Sequence, residues 1–187
     1  MTEVQNRRDA EATRQKILEA ARIAFTAKGY EAAGVREICN NAGVDQALIK
    51  RYFGSKQKLF EAVFDSAVGI HTLLGGPKET LGIQLAKYFT SKERDEFQFD
   101  ATVALLYSVG SQDVNRHIKH ILESQFVDRL AVHIGGKRAK QRASLIISQL
   151  LGFDVLRRVL GVEALSAKHK AEIVKTWSSQ IQQLVDA

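Results

Sequence analysis

The spacing of apolar residues constrains this chain more than any other feature. Ile17, Ala21, Ala24 and Phe25 recur at i, i+4, i+7 and i+8, and the pairs Leu59/Phe60, Val63/Phe64 and Ala67/Val68 repeat every four residues. That is the period of amphipathic helices with one face on a core. Glycines punctuate the pattern at Gly29, Gly43, Gly54, Gly75-Gly76, Gly135-Gly136 and Gly161, and the single proline, Pro77, suits the first turn of a helix. β-branched residues fall at helical spacing, and no Asn-Gly or Asp-Gly hairpin turn occurs. The expected fold class is all-α with about nine helices. Beyond the first helix these are Val35 to Asn41, Asp45 to about Phe53, 55–74, then roughly 77–90, 94–110, 113–134, 138–160 and 167–186.

Several classes are excluded early. With 187 residues, 45% of them hydrophobic, the chain can bury a sizeable core in one domain or a small module joined to a larger one. Apolar runs such as Val103–Leu106 fall far short of the ~18 residues of a membrane span. The polar start, Met-Thr-Glu-Val-Gln, gives no expectation of a secretory signal, so a cytoplasmic, nucleoid-associated protein without a membrane partner is expected. One cysteine, Cys39, excludes an internal disulfide framework. No Ser-His-Asp arrangement, phosphate loop or dinucleotide fingerprint is visible, so no enzyme, catalytic residue or cofactor is expected. His117 and His120 stand three apart with no acidic or cysteine partner at helical spacing, so no metal is expected either.

The charge is uneven. Of 27 Lys and Arg against 21 Asp and Glu, residues 1–58 hold 11 and 7, leaving 16 and 14 for the remainder. The excess of the first third suits a part that meets a polyanion. That same third carries two short helices joined by Ala42-Gly43-Val44 and preceded by a longer amphipathic helix, the pattern of a helix-turn-helix. Gly43 allows the turn, Asp45 caps the third helix, and Ile49 and Phe53 anchor it to the first. Asp45, Gln46, Ala47, Lys50 and Arg51 then face outward, the early ones positioned for base edges in a major groove. Gln suits adenine and Lys or Arg suits guanine, while Lys50 and Arg51 also suit backbone contact alone.

Residues 13–64 resemble the DNA-binding domain of the tetracycline-repressor family. The matching elements are Ile17, Ala20, Ala21, Phe25, Gly29-Tyr30, Val35-Arg36-Glu37-Ile38, Ala42-Gly43-Val44 and Tyr52-Phe53-Gly54-Ser55-Lys56. The resemblance implies a DNA-binding set of Arg36, Gln46, Ala47, Lys50, Arg51, Tyr52 and Lys56. Lys56 would grip a phosphate at the start of helix four; Tyr52 either donates its hydroxyl to phosphate or covers the three-helix core. Three departures stand out: Ala33-Gly34 where the family often has Ser or Thr, Lys50 for a common tyrosine, and Asp45 for a frequent serine.

As the resemblance implies, residues 1–54 form the helix-turn-helix domain, 55–74 a connecting helix, and 75–187 a helical domain for regulation and dimerisation. The partners expected are double-stranded operator DNA, a second copy of the chain and a small-molecule effector that releases a repressor. The alternatives are a constitutive or architectural DNA-binding protein and a helical enzyme. In residues 143–161 a broad apolar face includes Ile147, Leu151 and Val155, and the last helix carries Trp177, Ile181 and Leu184 on a second stripe. These six are the expected dimer interface; the competing reading buries both helices within one subunit. His71, Phe89, Phe99, Tyr107 and Phe126 are the candidates for a mainly apolar ligand cavity, with a filled core as the alternative. The cluster from Lys137 to Arg142 reads as a solvated loop and first turn.

Overall fold

The computed structural model describes residues 3–67, 74–93, 100–108 and 112–187. The described residues form nine helices and no strand. They are α1 (Glu3–Ala32), α2 (Val35–Ala42), α3 (Gln46–Phe53), α4 (Lys56–Ala67), α5 (Leu81–Ser91) and α6 (Ala101–Ser108). α7 (Gln112–Ile121) continues through Leu122–Val127 to Asp128–Ile134, α8 (Ala139–Asp154) continues through Val155–Val159, and α9 is Lys170–Asp186. The extensions at Leu122–Val127 and Val155–Val159 are wider, π-type turns. The last helix begins at Lys170 rather than 167 because Glu163–Leu165 and Ala167–His169 are single 3-10 turns. The chain divides into two compact units, Met1–Val68 with Asp95–Ile118, and Gly69–Arg94 with Lys119–Ala187.

In the first unit, α1 buries Ile17, Leu18, Ala21, Ala24 and Phe25, and α4 buries Leu59, Phe60, Val63 and Phe64. Their aromatic rings interlock: Phe25 and Phe64 each meet Phe60 edge-on at 4.8 Å. Full burial of each such ring contributes roughly 1.5–3 kcal/mol, so this cluster dominates the unit's stability. α1 does not run straight to Ala32, because Gly29 takes φ 70, ψ −176. A β-carbon there would also stand 2.7 Å from the carbonyl carbon of Tyr107, so both the bend and the close approach require glycine.

That approach belongs to α6, which sequence reasoning grouped with residues 75–187. α6 packs instead on α1 and is fastened at both ends. Asp100 starts it, its carboxylate accepting from the amides of Thr102 at 3.0 Å and Val103 at 3.2 Å, while its own amide donates to Thr26 Oγ1 at 3.1 Å. At the other end Ser108 Oγ accepts from the Tyr30 amide, freed by the bend at Gly29, at 2.8 Å.

The second unit is built on the pairing of α5 with α9. Leu81, Leu85 and Ala86 of α5 meet Trp177, Ile181 and Val185 of α9, with Leu130, Ile134, Ala143, Ile146 and Leu150 completing the core. The Gly82 amide donates to Gln182 Oε1 at 2.9 Å. Arg142, expected in solvent, is buried instead. Its guanidinium donates to the carbonyls of Lys137 at 3.0 Å, Leu184 at 2.9 Å and Val185 at 2.7 Å, and to that of Gly135. These carbonyls lie at or just beyond the ends of α7 and α9, where helices leave acceptors without intrahelical partners. Lys137, Arg138 and Lys140 are exposed, as the sequence leads one to expect.

Candidate nucleic-acid interface

The α2–α3 corner is set by local chemistry. Gly43 stops α2 in the left-handed region, φ 64 and ψ 38, its amide donating to the Asn40 carbonyl at 3.2 Å while that of Val44 donates to Cys39 at 3.0 Å. No atom lies within 4 Å of where a Gly43 β-carbon would sit, so backbone strain alone selects glycine. Asp45 caps α3, its Oδ1 accepting from the Ala47 amide at 2.7 Å. Gly34 caps α2 with extended backbone and no side-chain bond, leaving that helix start without the hydroxyl the family often has. Ile49 and Phe53, one turn apart, bury the inner face of α3. Cys39 is buried in α2, and burial, then the charge of Asp45, pushes its thiol up, which suits a packing residue.

The outer face is what remains. Gln46, Ala47, Lys50 and Arg51 are exposed on α3, and Arg36 is exposed on α2. Tyr52 is half-buried, with the Arg51 guanidinium 5.8 Å from its ring centre. Lys28 and Glu37 join α1 to α2 at 2.7 Å, and this hydrogen bond holds the Glu37 carboxyl below its ordinary range. Lys56 is less free than its sequence position implies. Its Nζ donates to the Glu31 carbonyl at 3.2 Å and lies 4.6 Å from the Tyr30 ring centre. Burial lowers its affinity for the proton, and nearby Glu31 opposes that shift. The bend at Gly29 leaves the end of α1 with carbonyls that need a donor, and Lys56 supplies one.

Sequence reasoning passed over Arg14, whose guanidinium lies 5.1 Å from the ring centre of Phe53, at the end of α3. The signal was present: Arg14 precedes Ile17 by three and Leu18 by four, on the inward stripe of α1. Among the described residues no group of three or more His, Cys, Asp and Glu could hold a metal ion, and no helix is long and apolar enough to cross a membrane.

Comparison with known proteins follows the same outline. The family described as "Bacterial regulatory proteins, tetR family" matches residues 17–63, and "Tetracyclin repressor-like, C-terminal domain" matches residues 79–185. The chain belongs to the tetracycline-repressor family. It is therefore a DNA-binding transcriptional regulator. It is 27% identical over 169 residues to the HTH-type transcriptional activator FasR of Mycolicibacterium smegmatis, covering 90% of this chain and 68% of that protein. Over 51 residues it is 45% identical to the HTH-type transcriptional repressor AcnR of Corynebacterium efficiens, covering 27% of each. Among solved structures, Salmonella enterica GusR superposes with a TM-score of 0.67 at 17% identity, covering 94% of this chain and 96% of that one. FadR of Bacillus subtilis, solved in complex with stearoyl-CoA, gives 0.61 at 17%, covering 92% and 97%. At these identities the likeness shows the fold.

For this tetracycline-repressor family member, the residues expected in a dimer interface part company. Ile147, Leu151, Val155 and Leu184 are half-buried, whereas Trp177 and Ile181 lie in the core of the second unit. The reason is α5, which occupies the face of α9 that the sequence left open. Leu145 is 48% exposed and Leu156, three turns along the same stripe of α8, 44%. Of the expected ligand residues, His71 and Phe99 lie outside the described residues. Phe89 packs edge-on against Trp177 at 6.5 Å, Phe126 is half-buried in the wide turn of α7, and Tyr107, in the first unit, is 63% exposed. A described cleft of about 470 Å³ opens elsewhere in the second unit, lined by Phe153, Leu165, His169, Glu172, Ile173, Thr176, Trp177 and Gln180 among others.

Proposed function

We propose that the chain is a homodimeric repressor, released from an inverted-repeat operator by a small, mainly apolar effector. One observation carries the reading: a capped eight-residue helix, held from below by Ile49 and Phe53, presents Gln46, Ala47, Lys50 and Arg51 together to solvent. Side chains of this kind on the outer face of a second helix read base edges and phosphates. Arg36 and Tyr52 flank them, with Lys56 holding the end of α1 as well as adding positive charge. Residues 1–54 supply the reading head and 75–187 the dimer face and effector site, α6 being the part of the latter stretch that packs on α1.

The dimer is supported by the exposed stripe Leu145–Gly152–Leu156 of α8, since two copies can each cover the other's leucines and Gly152 lets backbones approach. Val155 lies nearest it on α8, while Ile147 and Leu184 pack against the core of the second unit. Repression is supported by the 45% identity of the DNA-reading stretch to a repressor. FasR, similar over most of the chain, is an activator, so transcription from a bound promoter must be measured with and without the protein. An effector is supported by the cleft in the second unit and by FadR, a relative in fold solved with stearoyl-CoA.

The test is recovery of genomic fragments bound by the full chain. The expected fragments share an inverted repeat with half-sites about one helical turn apart or somewhat more. Fragments without two-fold symmetry, or none enriched, would overturn the dimeric reading; release by no compound would leave a constitutive regulator.

A further inference from the structure

A guanidinium has only donors and keeps its charge, so where it leaves water it needs acceptors. Arginines of this chain follow the rule. Arg142 donates to four carbonyls, Arg157 to the Lys92 carbonyl and Glu93, and Arg158 to Asp154. Arg22, on α1, donates to Glu19 at 3.0 Å. Arg14, two turns earlier on the same helix, departs from it. Its side chain is 37% exposed and its guanidinium lies 5.1 Å from the ring centre of Phe53, yet it donates no hydrogen bond to a described residue. Its ion pair with Glu11, one turn before it, is long at 3.9 Å, beyond hydrogen-bond reach. Phe53 ends α3, and the exposed Lys50 precedes it by three, so those two side chains are neighbours on the helix. Arg14 therefore sets a cation beside α3 rather than on it.

We propose that Arg14 binds a DNA phosphate from α1, held ready for it by the ring of Phe53. A helix lying in a major groove has a phosphate strand on each side, and the elements flanking that helix meet those strands. With a ring against one face, the donors of the planar guanidinium lie around its edge, the arrangement that meets phosphate oxygens in pairs. The ring also restricts the side chain before DNA arrives, so less freedom is lost on binding. The contact carries no sequence information. Glu11 opposes a phosphate at the same place, so removing its charge should strengthen binding. The inference rests on the reading head proposed above, and a sequence-neutral assay separates the two.

Binding of the full chain to a mixed-sequence duplex of about three helical turns, measured between roughly 50 and 200 mM salt, counts phosphate contacts through the salt slope. Arg14→Gln keeps a polar stem beside Phe53 and removes the charge. It should flatten the slope by about one unit per reading head and weaken binding roughly tenfold at about 0.1 M salt. Arg14→Lys should restore the slope, and Glu11→Gln should tighten binding. Lys87→Gln, the same charge change at an exposed position of the second unit, should leave the slope as it is. A purely structural Arg14 gives another pattern: Arg14→Gln would lower Tm and weaken binding equally at every salt concentration, and an unmoved slope of this kind overturns the proposal. A slope that Arg14→Lys does not restore overturns it as well. Should Arg14→Gln not fold, Glu11→Gln still decides, since tighter binding supports the contact and unchanged or weaker binding refutes it. A wild-type chain whose binding shows no salt dependence would overturn the reading head and this contact together; a steep wild-type slope that Arg14→Gln leaves intact overturns the contact alone.

Discussion

Arg142→Ala should weaken the second unit far more than a typical substitution. The guanidinium donates four hydrogen bonds, to the carbonyls of Gly135, Lys137, Leu184 and Val185, from a residue that is 7% exposed. Hydrogen bonds to a charged group contribute about 1.5–3 kcal/mol each, so four set an upper bound of roughly 6–12 kcal/mol. Taking the guanidinium out of water opposes this by several kcal/mol, and some freed carbonyls in the last turn of α9 can turn to solvent. The expected net loss is about 3–5 kcal/mol. At about 2–4 °C per kcal/mol for a chain of this size, Tm should fall by roughly 10 °C. Denaturant titration followed by Trp177 emission reads the unit concerned, with far-ultraviolet circular dichroism tracking the whole chain. Arg142→Met keeps the apolar stem without the donors and should lose nearly as much; Arg142→Lys, with a single ammonium, should fall between. If Arg142→Met matched wild type, the carbonyl bonds would contribute nothing and the stem's packing would be the residue's whole role.

Three further outcomes are expected. Gln46→Ala should change preference between DNA sequences, whereas Arg51→Ala, if that residue meets phosphate, should weaken binding to every duplex and flatten the salt dependence by about one unit; a footprint and salt slope like wild type for both would show that α3 does not read DNA. Leu145→Asp with Leu156→Asp should give a folded monomer by sedimentation and sharply reduced affinity for a two-fold site, and an unchanged dimer would move the interface elsewhere. Because its bond to Lys28 holds Glu37 below the ordinary glutamate range, that pair supports folding above this range and loses its contribution as pH falls through the lowered value. Melting curves of Glu37→Gln should lack this part of the acid sensitivity, and an identical pH profile would show the pair to be inert.

What the sequence made legible was local. Ala42-Gly43-Val44, the Asp45 cap and the anchors Ile49 and Phe53 specify the α2–α3 corner within a dozen residues, and Ser55 caps α4 as its position implies, its Oγ accepting from the Lys58 amide at 3.1 Å. Periodicity marks a buried face, but it does not say what covers it. The stripe of Trp177 and Ile181 was read as open because its cover, α5, lies about a hundred residues earlier in the chain. α6 was grouped with residues 75–187 because its partners Thr26 and Tyr30 lie 74 and 78 residues away in the chain. Arg142 was hidden by its neighbours, since a buried arginine in a run of exposed cations looks like one more of them. Lys56 likewise showed its charge in the sequence and not the carbonyl it holds.

The bonds of Arg142 also order the protein's biosynthesis. Its guanidinium cannot be fully satisfied until Leu184 and Val185 have been made, and α5 lacks Trp177, Ile181 and Val185 until α9 exists. The three-helix head can form while the ribosome is still translating the second half, as N-terminal parts commonly do. The second unit must wait for the last turn of α9. A message truncated before the end of α9 would therefore yield the head joined to an unfinished second unit, with Arg142 lacking two of its four acceptors and an apolar helix open to aggregation. Synthesis of α9 acts as a checkpoint: until it is made, the first unit can fold and the second cannot.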